Sequence, residues 1–216
     1  MSENFAHQAN LFDPQIARPV IIAGAGSIGS MTALALAKMG VSEITVWDDD
    51  VVSSHNAPMS LYRGQDVARK KVDVLSELLK AMSGIEVKTV SEMHSDQPLR
   101  NATVIACVDT MSARLGLWKQ VKGQITVDLF IDTRTVESYA EVYAVSPRLA
   151  EECEQYEATL YSDETAARQT CGTHGVMYVS MSVAAAVAAT AAQYWTAGRK
   201  KWCHAVKCDT LEIVRL

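Results

Sequence analysis

Three glycines and six polar side chains of this sequence have types and spacings suited to handling phosphate: Gly24, Gly26 and Gly29, then Asp48, Asp50, Asn56, Asp66, Lys71 and Asp109. Gly24-x-Gly26-x-x-Gly29 separates the apolar run Val20–Ala23 from an apolar helical pattern over Met31–Met39. In that position, backbone N–H groups and the positive end of the helix face an anion. Asp48 stands nineteen residues beyond Gly29 at the tip of the next apolar run, where an acidic residue hydrogen-bonds a ribose hydroxyl. Turn and carboxylate together indicate an adenine nucleotide without saying which one. The plainer alternative is that the glycines only let the helix pack closely. Asp109 directly follows Val104–Val108, at the carboxyl end of a strand, where open α/β sheets bind ligands. Its plainer alternative is a cap for a helix starting at Ser112.

The elements that must position these residues follow from hydrophobic spacing. Val20–Ala23 and Ile44–Trp47 read as parallel strands around the helix that ends at Gly40, a β-α-β unit. Asp66–Met82 carries Val67, Val74, Leu75, Leu78 and Leu79 near helical spacing and is closed by Gly84. Glu86–Val90 and Thr103–Cys107 read as strands, with a helix over Ser112–Val121. Past Gly123, Thr126–Ile131 and Tyr139–Val145 read as strands joined by a short turn, so the second half is expected to be antiparallel. The acidic stretch Pro147–Thr170 is expected to be a partly mobile connection. An uncharged helix over Val176–Trp195, a basic loop Arg199-Lys200-Lys201 and a last strand within Ala205–Leu216 complete the chain. The expected fold class is α/β, a Rossmann-like doubly wound sheet with a parallel N-terminal half continuing into antiparallel C-terminal strands.

The 216 residues suit one domain, and 49% hydrophobic with 21% charged residues is ordinary for a globular chain. A net charge of −5 offers no broad attraction for DNA or an anionic membrane, so any phosphate site must be local. Cys107, Cys153, Cys171, Cys203 and Cys208 form an odd set without framework spacing and read as reduced thiols in a cytoplasmic protein. Gly175–Gly198 is uncharged and long enough for a membrane span, but its Ala, Ser and Thr content favours a helix buried against a sheet.

Read together, Gly24, Gly26 and Gly29, Asp48-x-Asp50, Asn56, Asp66-x-Ala68-x-x-Lys71 and Asp109 followed by Arg114 resemble the family of ubiquitin-activating enzymes and their bacterial relatives ThiF, MoeB and HesA. Cys171-Gly172-Thr173-His174-Gly175-Val176, before the small-residue helix, extends the resemblance over most of the chain. The resemblance implies a homodimer that binds ATP with Mg²⁺ and adenylates the C-terminal glycine carboxylate of a ubiquitin-like or sulfur-carrier protein. It also changes the reading of Lys71, which within Arg69-Lys70-Lys71 would otherwise be a solvated helix charge. The implied roles are phosphate neutralisation by Lys71, Mg²⁺ binding by Asp109, and nucleotide contacts from the glycine turn, Asp48, Asp50 and Asn56. Taken alone, Asn56 before Pro58 could be a turn residue, and Arg114 an ordinary surface ion-pair residue.

The chemistry suits these residue types. A carboxylate with a pKa near ~4 is already ionised at neutral pH, so its attack on the α-phosphate needs charge neutralisation and no general base. Two departures from the family pattern stand out. Met59-Ser60 replaces an expected Arg-Gln, with Arg63 the nearest substitute cation, and two zinc-binding Cys-x-x-Cys pairs are missing, so no zinc site is expected. Cys171, with His174 nearby, could accept the activated acyl group, although a buried small side chain is the preferred reading. An NAD(P)-dependent oxidoreductase would satisfy the turn and Asp48 but leaves Lys71 and Asn56 without a role. A nucleotide-binding scaffold that has lost adenylation would account for Met59.

Overall fold

A computed structural model describes residues 3–92, 99, 101–165 and 175–215. Eight strands form one sheet in the order β3-β2-β1-β4-β5-β6-β7-β8: β1 Val20–Ala23, β2 Ile44–Trp47, β3 Lys88–Val90, β4 Ala102–Ala106, β5 Val127–Val136, β6 Tyr139–Val145, β7 Cys203–Lys207 and β8 Glu212–Arg215. Pairing is parallel from β3 through β5 and antiparallel from β5 to β8, in line with the sequence reading.

Alternation along the strands divides the core between the two faces of the sheet. Val20 and Ile22 of β1 face Leu36 of α1 (Ser27–Lys38), Val72 and Leu75 of α2 (Lys71–Ser83), and Val183 and Val187 of α5 (Met177–Ala197). Ile21 and Ala23 face the other way, toward Leu117 and Trp118 of α3 (Met111–Val121) and Cys153 and Tyr156 of α4 (Ala150–Glu157). A strand buried on both faces is largely apolar, which is why Val20–Ala23 reads as an uninterrupted run and Ala102–Ala106 as one broken only by the buried Thr103.

Several boundaries differ from expectation. Helix α1 starts four residues earlier than Met31, directly at the glycine turn. Helix α2 starts at Lys71: Asp66 ends a separate 3₁₀ turn, Val67 is exposed, and Ala68 adopts a left-handed φ of 72° that no helix can include. The acidic connection contains α4, because Cys153 and Tyr156 share one helix face and bury it, the Tyr156 ring packing tilted against Trp118 with centroids 4.6 Å apart. Strand β5 runs five residues past Ile131, and the last strand is instead a hairpin, β7 and β8, turning at Cys208–Leu211.

Ala68 marks a strained position. Its N–H donates to Val52 O at 2.8 Å, so segment 68–70 runs beside 51–52 and the backbone cannot relax without losing that pairing. A left-handed Cβ costs roughly 1–2 kcal/mol, part of which glycine would give back as extra unfolded-state entropy. Ala68→Gly is therefore expected to stabilise the protein by about 0.5–1 kcal/mol, raising Tm by ~1–4 °C in thermal unfolding.

Candidate functional site

The parallel strands end level with one another. Ala23 is in register with Trp47 and with Ala106, and Ala106 with Asp132, so the residues that follow converge on one edge. Gly24, at φ 96°, turns away there, and a Cβ on it would overlap the carbonyl oxygen of Cys107. A Cβ on Gly29 would overlap the carbonyl oxygen of Gly24, so α1 sits directly on the turn. A Cβ on Gly26, by contrast, would meet nothing within 4 Å. Two glycines serve packing, and the third exposes the backbone at the start of α1, where a phosphate would be received.

Asp48 is buried and its carboxylate is already engaged. Oδ2 accepts from Ala25 N at 2.6 Å, Oδ1 accepts from Asp50 N at 2.9 Å, and Lys71 Nζ stands 3.7 Å from Oδ1. Burial pushes its pKa up, while the Ala25 N–H and Lys71 hold it down. Tyr62, also buried, donates to Ala25 O from the other side, so Asp48 and Tyr62 fix the turn between them. Asp48 thus braces the turn. Asp50 is the exposed member of the pair, with its side chain 67% accessible.

Lys71 is only 7% exposed, so it is not a solvated helix charge. Its N–H donates to Asp50 O at 3.0 Å and its Nζ to Asp50 Oδ2 at 2.6 Å, which places an ammonium beside both carboxylates next to the glycine turn. Arg63 does not reach this group. Its guanidinium forms a fork on Asp66, at 2.8 and 2.9 Å, and this hydrogen bonding holds the Asp66 carboxyl at about 2, below the usual carboxylate range. Asn56 heads a 3₁₀ turn and accepts Ser53 Oγ at 2.6 Å, the turn reading foreseen for it. That turn ends at Met59, whose thioether lies against Gly175 and whose carbonyl accepts Ser180 Oγ at 2.9 Å.

Asp109 is exposed in the loop after β4. It does not cap the next helix: Thr110 does, its Oγ1 accepting from Ala113 N at 3.2 Å. Arg114 is buried, and its guanidinium binds Val108 O at 2.8 Å and Thr110 O at 3.3 Å, on either side of Asp109. Sequence reading missed Asp132, Arg134 and Asp163, which complete this surrounding. The signal available for Asp132 was a carboxylate following Leu129-Phe130-Ile131. Cys171 and His174 lie outside the described residues. A cleft of about 1550 Å³ lies elsewhere, between Leu11, Met39, Glu152 and Trp202, toward the amino ends of the parallel strands.

The ThiF family model matches residues 16–208. The sulfur carrier protein ThiS adenylyltransferase of Escherichia coli (strain K12) is 30% identical over 114 residues, 50% of this chain and 44% of that protein, so the match spans under half of the relative. E. coli MccB solved with ATP superposes with a TM-score of 0.71 at 18% identity, covering 99% of this chain and 68% of that one. MccB with AMPCPP and MccA gives 0.72 at 16%, covering 100% and 71%. At these identities the superpositions establish the fold.

The three glycines are expected to separate experimentally. Gly26→Ala should keep the wild-type Tm while weakening nucleotide binding by about tenfold, because the new methyl occupies only the space in front of the turn. Gly29→Ala should lose about 1–3 kcal/mol of stability or more, since α1 must move off the Gly24 carbonyl. Calorimetric titration alongside thermal unfolding reads both; equal loss of stability in the two variants would contradict the assignment.

Proposed function

The chain belongs to the ThiF family, and from that premise we propose that it uses ATP to adenylate a carboxylate, the C-terminal glycine of a ubiquitin-like or sulfur-carrier protein, in the cytoplasm. The observation that carries the reading is the grouping at the level strand ends of an open Gly26 turn, the recessed Lys71 ammonium and the exposed Asp109 carboxylate. The turn amides receive phosphate. Lys71 neutralises it, and Asp50, the accessible partner of Asp48, takes the ribose hydroxyls.

Mg²⁺ fits this donor set. It takes one or two carboxylates together with phosphate oxygens and water, and the exposed carboxylate of Asp109 in the loop after β4 is a donor of that kind. Asp109 is the carboxylate that would hold it, and the ion would neutralise charge on the phosphates.

In the reaction, an ionised carboxylate oxygen bonds to the α-phosphorus while the bond from that phosphorus to the bridging oxygen of the β-phosphate breaks. Pyrophosphate leaves with the electron pair and no proton moves. The protein must therefore bring two anions together, and fixed cations and N–H donors do this better than mobile water.

Met59 supports a second reading, a nucleotide-binding scaffold. The position where the family resemblance expects a cation holds a thioether packed on Gly175, and Arg63 is committed to Asp66. One assay distinguishes the two, the exchange of labelled pyrophosphate into ATP with a small carrier protein ending in Gly-Gly. Adenylation predicts exchange, with Lys71→Ala and Asp109→Ala each reducing it by ~10²-fold or more. Cys171→Ala should leave it intact, because a thiol can act only after the acyl-adenylate exists. Absence of exchange with every carboxylate offered would favour the scaffold.

Assembly follows from α5. Tyr178 and Met181 are 44% and 53% exposed, and Ala185 and Ala189 continue the same exposed face. Among the described residues, no helix is long and apolar enough to cross a membrane. We assign this apolar stripe to a homodimer interface. Light scattering at micromolar concentration should give twice the chain mass, and Met181→Glu should give the monomer.

A further inference from the structure

Asp132 is 0% exposed and lies in β5, which is otherwise apolar from Val127 to Ile131 apart from Asp128. Taking a carboxylate out of water costs several kcal/mol unless every lone pair finds a donor, and an isolated structural ion pair seldom recovers more than this. Here each oxygen is engaged. Oδ1 accepts from Arg114 Nε at 2.6 Å, and Oδ2 accepts from Arg134 Nε at 2.8 Å and from Tyr156 OH at 3.0 Å.

The destinations of the two guanidinium groups give the cluster a purpose beyond packing. Arg114 spends its remaining donors on Val108 O and Thr110 O, the carbonyls flanking Asp109, and on Thr133 O at 3.0 Å. Arg134 lies over the rings of Tyr143 and Tyr156 and donates to Thr159 O at 2.8 Å and Thr159 Oγ1 at 2.9 Å, just past α4. A little further along that segment, Asp163 Oδ1 accepts from Met111 N at 2.6 Å, at the start of α3. One buried carboxylate therefore orients two forks, one gripping the backbone on both sides of Asp109 and the other gripping the segment after α4. That segment returns to the same loop through Asp163.

We propose that Asp132 is a positioning residue for Asp109, holding the loop 107–110 through Arg114 and coupling it to the segment 158–165 through Arg134. This rests on the adenylation reading for the chemical role of Asp109. A residue that touches no reactant can govern rate in this way when a displacement on the order of 1 Å in a charge partner costs ~10²-fold.

Asp132→Asn keeps the shape and removes the charge that orients both forks. Amide hydrogen exchange should rise by about tenfold or more in both 107–113 and 158–165, two stretches far apart in sequence. In pyrophosphate exchange, half-saturating Mg²⁺ should increase by about tenfold while KM for ATP stays within about twofold, a split that a lowered Tm alone would not produce. Arg134→Lys, a milder change should Asp132→Asn fold poorly, keeps the cation and loses the fork. It should loosen 158–165 and, more weakly, 107–113. Loosening of 158–165 alone in Arg134→Lys, or unchanged amides at 107–113 in Asp132→Asn, would overturn the coupling. An unchanged Mg²⁺ dependence in a fully exchanging Asp132→Asn protein would overturn the positioning role. If the wild-type protein catalyses no exchange, the adenylation reading falls and takes the chemical role with it, while the amide data still decide whether Asp132 holds the loop.

Discussion

The contact on which the rest of this structure depends is the approach of three backbones at the end of β1, where Gly24 meets the Cys107 carbonyl and Gly29 meets the Gly24 carbonyl. Interiors are packed closely enough that one methyl group there could not be absorbed. The contact sets α1 onto the sheet, brings β1 and β4 side by side with level ends, and leaves the space in front of Gly26 open. The Asp48 and Tyr62 bonds to Ala25 hold the same turn between them, so its conformation is fixed before anything binds.

Charge is arranged around that turn in two groups of opposite composition. Lys71 stands between two carboxylates, Asp48 and Asp50, and Asp132 stands between two guanidinium groups, Arg114 and Arg134. Neither arrangement is an efficient way to gain stability, because desolvation offsets much of the attraction. Both are efficient ways to hold a charge in place, which is what the proposed adenylation, with its several anions, would need.

Much of this was legible in the sequence. The glycine turn, the βαβ order and the change to antiparallel strands each follow from local spacing, and Asp109 announced itself by following an apolar run. What could not be read involves partners brought together only by folding. Asp48 meets Ala25 across the parallel pair, and Arg114 looks like any helix cation until β5 places Asp132 beside it. Helix α4 was hidden because two buried residues suffice to anchor it among glutamates. The β7–β8 turn was hidden because Cys208-Asp209-Thr210-Leu211 contains neither Gly nor Pro, and Leu211 itself takes the left-handed conformation, at φ 58°.

The reversal of direction at β5 also bears on the order in which the molecule is built. Strands β5 and β6 are separated by only two residues, so they pair at small loop-closure entropy, whereas β1 and β4 must close most of the N-terminal half into a loop before they touch. The expected sequence of events starts from the hairpin, adds β4 alongside β5 and receives β1 afterwards. The turn at Gly24 takes shape only against the Cys107 carbonyl, so the glycine turn is among the last parts to exist, and a chain stalled part-way would hold a formed hairpin and no such turn.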